Sequence, residues 1–216
     1  VSSAQRVSKP LIVIAGAGSD SGRAVASRLT DDGARVIAVG SRLWRLADTP
    51  ATARYEADLS SASAVETLAE RIRAEHGTVD GVVHLVGGWR AGRADDDWAW
   101  LESRVIETFR NISRVFHPDL SAAPAGRLVM VSSSTVEHPT WSNANYAAAK
   151  AAAEAWAKAA ASGFAKGGTA ASVILVVRAL GDGDGATPVA ELAERIATLW
   201  DEPAADLNGA RLPISN

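Results

Sequence analysis

The chain contains no cysteine. That excludes disulfides, thiolate metal centres and a cysteine nucleophile, and no other metal site is expected. Tyrosine and phenylalanine are scarce, with two and three residues beside seven tryptophans, so a Tyr and a Lys four apart are seldom met by accident. No apolar run exceeds the length of a strand, far short of a membrane span, and no membrane partner is expected. The opening VSSAQRVSKP is polar and lacks the apolar region of a signal peptide. Charge of neither sign dominates: the net charge is −3 and the basic residues are scattered, so no nucleic-acid partner is expected either. A cytoplasmic protein is the expectation.

What the sequence does hold is a strong α/β alternation. Its 216 residues, 47% of them hydrophobic, suit one domain over 1–216 that buries roughly 70% of the surface of its unfolded chain. Apolar runs at 11–16, 34–40, 80–88, 126–134 and 171–177 are nearly continuous in Val, Ile and Leu, as parallel strands buried on both faces require. Weaker strand signals occur at 53–57 and 210–214. Helical patterns fall between them at 21–32, 61–76, 95–121 (with a break), 145–163 and 188–200. Strand–helix alternation throughout predicts a doubly wound, mostly parallel sheet of about seven strands with helices on both faces. The Gly-rich acidic stretch ALGDGDGATP, 179–188, is a candidate lid.

Ligands of such folds sit beyond the carboxyl ends of the strands, which draws attention to the first strand-to-helix turn. GAGSDSG places Gly16, Gly18 and Gly22 around Ser19, Asp20 and Ser21. Glycines let the backbone approach phosphates, and the helix behind them offers free N–H groups. Asp20 is discordant. A carboxylate about 5 Å from a phosphate charge costs on the order of 3 kcal/mol at an effective dielectric of 20. Two readings stay open: Asp20 faces the phosphates, with Arg23 offsetting its charge, or it suits the helix terminus and its side chain turns away.

Further along, NYAAAKAAAEAWAKAAASG is a strong helix former, and Tyr146 and Lys150, four apart, share a face. An ammonium beside a phenol is expected to lower its pKa and make it a proton donor and acceptor near neutrality. Ser133 closes the preceding strand, thirteen residues before Tyr146. Separately, the second strand ends in Gly40-Ser41-Arg42 with no acid to take a ribose 2′-hydroxyl. Arg42 there can pair with a 2′-phosphate, or it is a solvated turn residue.

With the Gly-rich loop, YAAAK and the serine in place, the sequence resembles the short-chain dehydrogenase/reductase family over nearly its whole length. The resemblance implies a nicotinamide-linked oxidoreductase acting on a carbonyl, an alcohol or a related conjugated small molecule, with the substrate site inside the same domain. Tyr146 would exchange the proton, Lys150 would lower its pKa and hold the nicotinamide ribose, and Ser133 would polarise the carbonyl. The implied cofactor contacts are Gly16, Gly18, Ser19, Asp20, Ser21 and Gly22, then Ser41 and Arg42, Asp58 and Leu59, Val86, Gly87 and Gly88, Tyr146 and Lys150, and Thr187. NADP(H) is favoured over NAD(H) through Arg42. The family commonly pairs copies through the Tyr146 helix, so a homodimer or homotetramer is expected.

The departures from the family pattern are local. Asp20 replaces a glycine, and the usual N-N-A-G after the fourth strand reads HLVG, His84 to Gly87. Val105 stands where an asparagine supports a proton-relay water, and Asn111 lies more than a turn away. Arg178-Ala179 replaces a Pro-Gly. LVGGWRAGRA, 85–94, resembles a stretch of the dihydropteridine reductase branch, where Trp89 is either a substrate wall or a packed loop aromatic. His84 is expected to be a core residue at its strand end. The alternative reading is a nucleotide-binding or scaffold protein with weakened catalysis on the same fold.

Overall fold

The computed structural model describes residues 9–214; the start of the stretch read above for a signal peptide lies outside them. Seven parallel strands form one sheet: β1 (Leu11–Ala15), β2 (Arg35–Gly40), β3 (Ala53–Glu56), β4 (Gly81–His84), β5 (Arg127–Ser133), β6 (Ala171–Val177) and β7 (Arg211–Pro213), in the order β3-β2-β1-β4-β5-β6-β7. Alternate residues of each strand feed opposite cores. Leu11, Val13 and Ala15 of β1 face one cluster, and Ile12 and Ile14 the other. This two-sided burial is why the strands read as unbroken apolar runs.

Helices α1 (Asp20–Asp31) and α6 (Val189–Thr198) cover one face; α2 (Ala62–His76), α4 (Thr108–Ala122) and α5 (Ala144–Phe164) cover the other. Ser19 caps α1 by accepting from the Gly22 N–H, and Ser61 caps α2 in the same way from Ala64. Gly77, at φ 94°, ends α2 in a conformation that a side chain would strain. Short α3 (Asp95–Leu101) runs through a π-helical segment, Glu102–Glu107, into α4, which gives the break expected within 95–121 its form. The fourth strand stops at His84, short of the 80–88 expected, because Gly87 and Gly88 turn the chain out of the sheet, Gly88 at φ 148°. A one-turn helix, α7 (Ala204–Leu207), had no signal of its own. None of the described helices is long and apolar enough to cross a membrane.

All strands point the same way, so their carboxyl ends share one edge. At that edge β1 lies between β2 and β4, and the chain departs to opposite sides, which opens a crevice between the two loops.

Candidate active site

The crevice has two lobes that share Leu85, Val86 and Gly87. The first, ≈ 400 Å³, lies over the Gly-rich loop and the ends of β2 and β3. Gly22 is fixed by sterics, since a Cβ there would stand 2.4 Å from the Gly16 carbonyl oxygen. Ser19 Oγ donates to that same carbonyl at 2.8 Å, which closes the loop on itself. Asp20 turns away. Its carboxylate is 86% exposed and pairs with Arg23 at 2.5 Å, while Arg23 also donates to the Gly18 carbonyl. The second of the two readings of Asp20 is therefore the one the side chain adopts.

Gly16, Gly18, Ser19, Ser41, Arg42, Asp58 and Leu59 line this lobe, and so does Arg45, which sequence reasoning missed. Arg45 sits three residues after Arg42 in a 3₁₀ turn, and that spacing was the one available signal. Arg42 Nη1 donates to the Ser41 carbonyl at 2.7 Å, and Arg45 lies over the Trp44 ring. Asp58 caps its own turn by accepting from the Ser60 N–H and hydroxyl. Asn111 donates to the carbonyls of Leu59 and Ser60, so it braces this wall and has no place in a proton relay.

The second lobe, ≈ 580 Å³, gathers Ser133, Tyr146 and Lys150 with Ser21, His84, Gly88, Trp89 and Arg178. The end of β5 delivers Ser133, and consecutive turns of α5 deliver Tyr146 and Lys150. Ser133 Oγ accepts from Thr135 twice, from the hydroxyl at 3.0 Å and from the backbone N–H at 3.3 Å, which leaves its own O–H to donate. Burial raises the Tyr146 pKa, and a hydrogen bond with Ser133 only partly opposes this. The expected lowering by Lys150 is absent. Lys150 Nζ donates instead to the Val131 carbonyl at 2.8 Å and stays 6.0 Å from the centre of the phenol ring. Burial drives Lys150 itself down to about 8 despite the neighbouring Glu154.

His84 is a core residue. Its Nε2 meets Thr108 Oγ1 at 2.9 Å, and Thr108 donates onward to the Arg104 carbonyl, so His84 is the donor of that pair. Behind Ser133 lies an ion pair that sequence reasoning missed: the buried Glu154 accepts from Ser132 Oγ at 2.6 Å and from Nε of the partly buried Arg211 at 3.0 Å, while Arg211 also donates to the Ser133 carbonyl. Val105 is packed in the core. Asp20, Gly22 and Thr187 line neither lobe; Thr187 is buried and donates its N–H to the Ala179 carbonyl at the foot of the 180–187 loop.

The family model described as "short chain dehydrogenase" matches residues 10–180. The "Probable oxidoreductase EphD" of Mycobacterium tuberculosis is 36% identical over 155 residues, covering 66% of this chain and 26% of that protein. The chain thus spans about a quarter of the length of that relative. The 2,3-dihydro-2,3-dihydroxybenzoate dehydrogenase of Bacillus subtilis is 28% identical over 162 residues, covering 69% of this chain and 62% of that one. Among solved structures, L-sorbose reductase from Gluconobacter frateurii complexed with NADPH and L-sorbose superposes with a TM-score of 0.86 at 18% identity, covering 96% and 95% of the two chains. That likeness establishes the fold. None of the three bears on the local likeness to dihydropteridine reductases.

Proposed function

The chain belongs to the short-chain dehydrogenase/reductase family, and from that premise we propose that it is an NADP(H)-preferring oxidoreductase of a small carbonyl or alcohol compound. The observation that carries this reading is the convergence of Ser133, Tyr146 and Lys150 on a lobe that continues into the cleft over the Gly-rich loop.

The residues present suit a dinucleotide. Asp58 is the single acid lining the first lobe, and Ser60 already satisfies it; Arg42, Arg45 and Arg104 line the same lobe. Two guanidiniums at the end of β2 favour a 2′-phosphate, and the one carboxylate that reaches this turn, Glu56, already accepts from the Leu43 N–H. Ser19, Gly16 and Gly18 would face the diphosphate, and Gly87 and Lys150 the nicotinamide ribose; a Cβ at Gly87 would approach Lys150 Nζ to 3.8 Å. A bound nicotinamide dinucleotide supplies the hydride, which no side chain can.

Everything else falls to the chain. Ser133 Oγ donates to the carbonyl oxygen and holds it beside Tyr146. Tyr146, kept as a neutral phenol by burial, gives its proton to that oxygen as the alcohol forms, and takes it back in the reverse direction. The balance is carbonyl, reduced dinucleotide and one proton against alcohol and oxidised dinucleotide. Lys150, held by the Val131 carbonyl, does not lower the Tyr146 pKa from where it stands, so its place in the proposal is at the nicotinamide ribose. We extend the proposal to a homodimer through α5, whose outer face exposes Ala148, Ala152, Ala155 and Ala159.

The second reading, a nucleotide-binding scaffold, is favoured by Val105, whose apolar side chain cannot hold a relay water. One variant separates the two. Tyr146→Phe is expected to lower turnover by about 10³-fold while NADPH affinity is retained. Unchanged turnover removes Tyr146 from the chemistry. A wild type that binds NADPH but reduces nothing across a broad carbonyl panel favours the scaffold.

A further inference from the structure

Among the described arginines, Arg178 alone has no carboxylate, carbonyl or aromatic partner. The others are held by acids, as Arg211 is by Glu154, by carbonyls, as Arg127 is by Leu199, or over rings, as Arg104 is over Trp100. The free guanidinium is not on an indifferent surface. β5 and β6 pair with Ser133 opposite Val177, so the residue after β6 stands one step past the site serine. Arg178 lines the ≈ 580 Å³ lobe with Ser133, Tyr146 and Lys150, and no carboxylate lines that lobe.

The lobe's other cation is already engaged, since Lys150 Nζ donates to the Val131 carbonyl and neighbours Glu154. Arg178 is exposed, and the backbone of the neighbouring loop passes beside its guanidinium. Gly185, at φ 68°, passes so close that a Cβ there would stand 2.8 Å from Nη1. The loop carrying Gly185 is pinned at its foot by Gly181 N–H to the Thr187 carbonyl and Thr187 N–H to the Ala179 carbonyl. Trp89 and Leu180, 64% and 39% exposed, add apolar surface to the same lobe. A planar fork of donors in a cavity without acids is matched by a carboxylate, which accepts two parallel N–H bonds.

We infer that Arg178 selects the substrate: the compound carries a carboxylate that this guanidinium holds, and an apolar body that rests on Trp89 and Leu180, with its reacting carbon toward Ser133 and Tyr146. The inference rests on the oxidoreductase reading. Phosphate shares the chemistry, and the dinucleotide itself carries phosphates, so the test separates these sources.

Titration calorimetry compares benzoate with benzamide, its uncharged analogue, and with inorganic phosphate and NADP⁺, on the wild type, Arg178→Gln and Arg178→Lys; thermal melts confirm that each variant is folded. The wild type is expected to hold benzoate about tenfold more tightly than benzamide, the worth of one charge-assisted pair. Arg178→Gln removes that preference, Arg178→Lys keeps part of it, and NADP⁺ affinity stays within about twofold throughout. A benzoate preference that is absent from the wild type, or equal in the wild type and Arg178→Gln, overturns the proposal. So does a loss confined to NADP⁺ or to inorganic phosphate, which would assign Arg178 to a phosphate. Failure of the wild type to bind any dinucleotide sinks the oxidoreductase reading separately, because the benzoate ratio can still be read on the cofactor-free protein.

Discussion

His84 is enclosed against Phe109 and Thr108, and burial, followed by repulsion from Lys150, pushes its pKa down to about 3. A histidine depressed from its ordinary 6.5 is neutral in the folded protein but takes a proton when unfolded in mild acid. Its contribution to stability is therefore whole above pH 6.5 and is lost as the pH falls towards 3. Urea melts at pH 6.5 and 4.5 are expected to show this site costing about 2 kcal/mol over that interval. His84→Gln, which keeps a donor for Thr108, should flatten the loss by that share; an equal loss in both proteins contradicts the assignment. Lys150 follows the same logic at the other end of the range. Its pKa of about 8 means that the lobe loses this positive charge above that pH. These protonation states were not legible in the sequence. The four-residue spacing put Tyr146 and Lys150 on one helix face, but the lysine's actual partner, the Val131 carbonyl, comes from a strand far away in the chain.

The elements themselves were largely legible, for a physical reason: strands buried on both faces must be apolar throughout, and the α1 and α2 helices announce their starts with Ser19 and Ser61. What escaped were features that depend on neighbours in space. β4 ends early because the chain leaves the sheet towards the crevice, and the π-helical segment interrupts a helix whose apolar pattern runs on through it. The tie between β7 and α5 is of the same kind. Arg211, on the edge strand, reaches under β5 to Glu154, a buried carboxylate four residues past Lys150, and to the carbonyl of Ser133. Removing Arg211 leaves the buried Glu154 carboxylate with Ser132 as its hydrogen-bond donor, so Arg211→Ala is expected to destabilise the protein by about 2 kcal/mol in urea melts. A loss below about 1 kcal/mol would mean that solvent already screens Glu154.

Across the whole molecule, one sheet edge brings together residues from six strand ends and the start of α5, and that edge is where the candidate site lies. Ser133, Tyr146 and Lys150 could be read in advance because a strand end and a helical repeat fix their relative places. Arg45 and Arg178 could not, because a guanidinium's direction depends on loop packing that no short spacing encodes. Asp20 shows the same limit in reverse: an acid in a phosphate loop looked discordant, yet a salt bridge to Arg23 carries it away from the cleft. The central claim is that this cleft holds a nicotinamide dinucleotide with Tyr146 at its reacting end. Calorimetric titration of the wild-type protein with NADPH and with NADH addresses it most directly. One NADPH per chain should bind with a dissociation constant of about 1 μM to 1 mM, more tightly than NADH. No measurable heat from either dinucleotide at millimolar concentration would contradict it.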